Sequence, residues 1–114
     1  MEQILAHLVG DYILQTHWMA VNKVNKLYVA IIHAFTYTLP FLLIIQEIVP
    51  LLIIFGTHVV IDRYRVAMYI TRIKNWCFTG NGYPESTPVW LSTWLVIILD
   101  NTLHLLINYY ALTI

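Results

Sequence analysis

The chain has 114 residues, 60% hydrophobic and 11% charged, where an ordinary soluble domain carries about 45 to 50% and about 25%. A chain this short cannot enclose so much apolar surface in a core, which argues against a soluble domain and for a lipid bilayer as its solvent. Six basic and six acidic residues cancel to zero net charge, which gives no reason to expect a nucleic-acid partner, and the single Cys77 excludes an intrachain disulfide or a zinc site of several thiolates.

Residues 1–22 form the first expected helix. Apolar residues at 4, 5, 8, 9, 12, 13 and 14 share it with His7, Asp11, Gln15 and His17, so it spans a membrane weakly or sits half-inserted against its neighbours. Glu2 and Gln3 in place of a basic start argue against a cleaved signal peptide. Leu27 to Gln46 carries no formal charge and as a helix is about 30 Å long, the thickness of a hydrocarbon core. This is the first strong span, with a kink expected at Pro40. Gln46, Glu47 and Pro50 make a turn. A third helix over 50–75 is apolar from Leu51 to Ile61 and amphipathic beyond Asp62, Arg63 and Arg65. Residues 77–88 (CFTGNGYPESTP) have the composition of a loop. A last strong span over 89–114 is interrupted by Asp100, Asn101, His104 and Asn108.

The expected fold is therefore all-α, an integral membrane bundle of about four helices forming one domain over residues 1–114. Lys23, Lys26, Arg63, Arg65, Arg72 and Lys74 fall toward one face and the opposite turn holds only Glu47, so the positive-inside rule puts the basic loops in the cytoplasm. His17, Trp18, Trp76, Trp90 and Trp94 read as interfacial residues.

Asp11, Asp62 and Asp100 lie inside apolar helical sequence, where an aspartate near the helix centre costs about 2.5 to 3.5 kcal/mol without a partner. Each has a histidine four residues away, in the pairs His7–Asp11, His58–Asp62 and Asp100–His104, on one helix face. Counted from the helix ends, the aspartates form one layer roughly 15 to 18 Å up and their histidines another roughly 21 to 24 Å up, with His33 near the carboxylate layer. Tyr37, one turn beyond His33, reads as packing. Such imidazoles and carboxylates suit one or two divalent ions, zinc, manganese or iron. His7, Asp11, His33, His58, Asp62, Asp100 and His104 are the candidate ligands, with one aspartate able to bridge two ions. Gln15 continues the His7 and Asp11 face, as a substrate contact or a helix-packing amide, and Arg63 and Arg65 are arginines that either snorkel to mark the membrane boundary or clamp a phosphate; these three are the candidate substrate contacts.

The stretches LAHLVGDYILQTHWMA with the following Lys23, HAFTYTLPF, THVVIDRYR and LDNTLHLL, in that order, resemble the bacterial and phage membrane proteins known as domain of unknown function 3307. The resemblance covers most of the chain and implies a small integral protein of the bacterial inner membrane with no assigned activity. More loosely, the buried His and Asp pattern is similar to that of the LexA-regulated metal-dependent hydrolases of the inner membrane. The leading expectation is a metal-dependent hydrolase of a lipid-borne ester or phosphoester, with Asp62, His58 and Asp100 as catalytic candidates and metal-activated water as nucleophile. Two other classes remain open, a proton or divalent-ion translocator and a non-enzymatic membrane factor whose His/Asp cluster is structural. The expected partners are the bilayer, a lipid substrate, and a second copy of the chain or a host membrane protein.

Overall fold

The computed structural model describes residues 1–113; Ile114, the end of the expected last helix, lies outside the described residues. All regular elements among them are helical: α1 (Glu2–Leu8), a π-helical turn (Val9–Ile13), α2 (His17–Asn22), α3 (Leu27–Thr38), a 3-10 segment (Leu39–Leu43), α4 (Ile48–Arg63), α5 (Val66–Lys74) and α6 (Val89–Thr113).

The helices are shorter than the apolar runs that encode them, for local reasons. Residues 1–22 divide at the π turn and again at Thr16, whose hydroxyl accepts from the Met19 N–H and caps α2. At Pro40 the missing N–H and the ring's clash with the preceding turn convert α3 to 3-10 geometry, which ends by Leu43 instead of running to Gln46. The expected helix over 50–75 is two helices, because Arg65 adopts the left-handed conformation (φ 52°, ψ 50°) between α4 and α5. The loop 77–88 folds back on α5: a Cβ at Gly82, whose φ is 86°, would come within 2.6 to 2.9 Å of backbone atoms of Thr71 and Arg72, so only glycine fits there.

Helix α4 packs against α3 and α6, α1 packs against α6 and the 3-10 segment, α2 lies on α3, and α5 lies on α6. An apolar core of Ala6, Tyr37, Phe41, Leu51, Ile54 and Ala111 fills part of the interior. Val29, Ala30, Ala34, Ile61 and Met68 are buried as well, and among these apolar side chains lie the buried polar residues His7, Asp11, His33, His58, Asp62, His104 and Asn108. Outside, Ile13, Leu43, Val89, Trp90 and Tyr110 are among many exposed large apolar side chains. Among the described residues α6 alone is long and apolar enough to cross a membrane, and only 6% of its most apolar stretch is buried; Leu27–Leu43 is apolar but shorter.

Candidate metal centre

Four side chains from three elements meet at one point. Asp11 comes from the π turn, His33 from α3, and His58 and Asp62 from α4, one helical turn apart. The two Nε2 atoms of His33 and His58 lie 2.9 Å apart. Asp11 Oδ1 is 3.1 Å from the first and 3.4 Å from the second, and Asp62 Oδ2 is 3.3 and 3.1 Å from them. These five separations fall between 2.9 and 3.4 Å, and all four atoms lie within 4.8 Å of one another, close enough for one ion bonded at about 2 Å to imidazole nitrogen and carboxylate oxygen. Each ring nitrogen carries at most one proton, so hydrogen bonds among the four leave lone pairs facing one another; a cation at the centre satisfies them together. The Nδ1 atoms of both histidines are buried without a partner, so ring packing holds the imidazoles: Tyr37 stacks on His58 at 3.7 Å between centroids with 18° between planes.

Asp62 also belongs to a second group, with Asp100 and His104 of α6. His104 Nε2 lies 3.2 Å from Asp62 Oδ1 and 3.5 Å from Asp100 Oδ2. The two oxygens of Asp62 thus serve different groups, the geometry of a carboxylate that bridges two ions. The first group offers four ligands and a closed shell; the second offers three, the number that leaves a coordination position open. One further cation is already present: Lys23 Nζ donates to Asp62 Oδ2 and to Gln15 Oε1, at 2.8 Å each.

The expected ligand His7 stands outside both groups. Asn108 Nδ2 donates to the Tyr37 hydroxyl at 2.7 Å, so the Tyr37 O–H donates to His7 Nδ1 at 2.7 Å, and His7 Nε2 is left to donate to Asn101 Oδ1 at 2.9 Å. With both ring nitrogens engaged, His7 is 3.7 Å from Asp11 Oδ2 and fixes the wall of the centre. The imidazoles and carboxylates also mix in one cluster in place of two stacked layers, because the side chains bend toward each other across the helix gaps. Of the candidate substrate contacts, Gln15 and Arg65 line a cavity of about 310 Å³ that also receives Asp11, Asp62, Asp100 and Lys23. Arg63 does not line it: its guanidinium donates to the Val24 carbonyl and ties α4 to the α2–α3 connection.

A family model described as a protein of unknown function (DUF3307) matches residues 1–113. The chain belongs to the DUF3307 family. The resemblance read from the four motifs is thereby shown, while the match carries no activity and does not extend to LexA-regulated hydrolases. No curated protein and no solved structure matches the chain.

In this DUF3307 protein, reading the sequence missed Lys23, Asn101, Asn108 and the hydroxyl of Tyr37. For Asn101 and Asn108 a signal existed, since both interrupt an apolar helix and Asn108 lies one turn beyond His104 on the same face. Lys23 gave none: its partner Asp62 is 39 residues away and only the packing brings them together.

Proposed function

We propose that the protein is a metal-dependent hydrolase lodged in a lipid bilayer, acting on a lipid-borne ester or phosphoester. The observation that carries this reading is the convergence of Asp11 Oδ1, His33 Nε2, His58 Nε2 and Asp62 Oδ2 within 4.8 Å of one another, next to a three-ligand group that shares Asp62. Asp62, Asp100 and His104 would hold an ion whose chemistry is to polarise the ester and lower the pKa of water. The Asp100 carboxylate oxygen that does not hold the ion, on a side chain 31% exposed against 4% for Asp62, would be the base. It takes a proton from water as the water oxygen bonds to phosphorus or carbonyl carbon; the ester oxygen then leaves as an alcohol, taking that proton back.

The bilayer part of the reading is supported by the apolar exterior, above all along α6, and by the polar side chains that lie buried inside it. In the inner membrane of a bacterium the basic residues near the helix ends would face the cytoplasm. Elemental analysis of protein purified in detergent without added metal tests the centre, with Asp62→Ala, His58→Ala and His104→Ala alongside. One or two ions per wild-type chain are expected. Asp62→Ala should lose all of them, His58→Ala the ion of the first group and His104→Ala that of the second. A folded wild-type chain without metal, or stoichiometric metal in Asp62→Ala, overturns the reading.

A further inference from the structure

The cavity beside the three-ligand group has a charge pattern that ester hydrolysis alone does not require. Its volume, about 310 Å³, is at the small end of ligand pockets, which span about 300 to 1,000 Å³. Three carboxylates and two cations, Lys23 and Arg65, line it together with the apolar side chains of Ile61, Met68, Val96 and Ile97. A carboxylic ester brings no charge for those cations to meet. A phosphoester does, and its hydrocarbon fits the apolar lining.

Lys23 is held for this task by the metal-binding groups. Two of its three N–H donors go to Asp62 Oδ2 and Gln15 Oε1. Asp62 Oδ2 also belongs to the four-residue group, so an ion held there would supply the positive charge that Lys23 now supplies and would leave the ammonium, which already lines the cavity, free for another anion. Arg65 enters no ion pair with a carboxylate among the described residues, and its left-handed backbone sets it at the break between α4 and α5, on the rim of the cavity. A planar guanidinium that grips two oxygens and a mobile ammonium are complementary phosphate binders.

We propose that Lys23 and Arg65 hold the phosphate of an amphiphilic phosphoester in this cavity, against the ion carried by Asp62, Asp100 and His104. The proposal rests on the metal-dependent reading above and narrows its substrate to a phosphate-bearing amphiphile.

The test is calorimetric titration of the detergent-solubilised, metal-bearing protein with inorganic phosphate and with dihexanoyl phosphatidic acid, metal content being measured on the same samples. Wild type should bind both and the lipid more tightly. Lys23→Met and Arg65→Gln should keep their metal and bind each ligand at least about tenfold more weakly, while Lys23→Arg should bind nearly as wild type. Unchanged binding in metal-bearing Lys23→Met and Arg65→Gln overturns the proposal and leaves the hydrolase reading standing. So does metal-bearing wild type that binds neither ligand. Phosphate bound without preference for the lipid overturns the amphiphile and leaves a free-phosphate site. A wild-type chain without metal overturns the hydrolase reading and the proposal together.

Discussion

Asp62 is the residue on which the centre turns. With its side chain 4% exposed, it faces His33, His58 and Lys23 through one oxygen and His104 through the other. A buried carboxylate is tolerated only where such partners surround it, and removing them leaves the full desolvation cost. In the proposed metal centre His33, His58 and His104 would offer neutral nitrogens and protons would compete with the ion: metal retained after dialysis should fall as the pH is lowered, and loading should release protons measurable in weak buffer. Tyr37 does two jobs, stacking on His58 and joining Asn108 to His7 through its hydroxyl. Tyr37→Phe keeps the stack and strands two buried polar groups, so it should cost about 1 to 3 kcal/mol of stability in a denaturation series while metal content stays at the wild-type level.

Individual elements decide whether these residues meet. The π turn places Asp11 against α3, and its neighbour Gly10 allows the approach: a Cβ there would lie 2.7 Å from Tyr37 Cδ2 and 2.9 Å from the Tyr37 carbonyl oxygen. Gly10→Ala must push the turn away from α3, so a loss of about 1 to 3 kcal/mol in thermal unfolding is expected, with weaker metal retention as Asp11 moves off His33. The i,i+4 pairs legible in the sequence selected the right carboxylates because helical spacing puts both side chains on one face. They did not select the closest partners. Asp11 sits nearer His33 of α3 than His7 of its own stretch, and His104 nearer Asp62 of α4 than Asp100 of its own helix. Pro40 and Arg65, which cut the apolar runs into shorter helices, exert their effect through backbone geometry that hydrophobicity does not report.

Among the described residues many large apolar side chains are exposed, while buried histidine, aspartate and asparagine side chains share the interior with an apolar core. Helix α6 shows this most clearly, with Trp90, Trp94, Ile98, Leu106 and Tyr110 exposed on a helix whose Asp100, His104 and Asn108 serve the interior. Embedding in a bilayer removes that exposed surface from water. The protein should therefore stay with the membrane fraction through alkaline carbonate washing and leave it in detergent. Release as a stable monomer into aqueous buffer would contradict the bilayer reading.

Composition and helical spacing were enough to point to an all-helical chain, an apolar exterior and the acidic and imidazole residues that gather in the interior, His7 being counted among the ligands although it stands outside both groups. Each of these follows from hydrophobicity or from contacts within one turn of helix, which neighbouring residues encode. Packing decided the rest. Which four candidate ligands converge, that Asp62 is shared, that His7 is tied to Tyr37 and Asn101, and that Lys23 reaches Asp62 all depend on side chains 22 to 94 residues apart. Such pairings are set by how the helices cross and where their backbones break, and no periodicity along the chain records either.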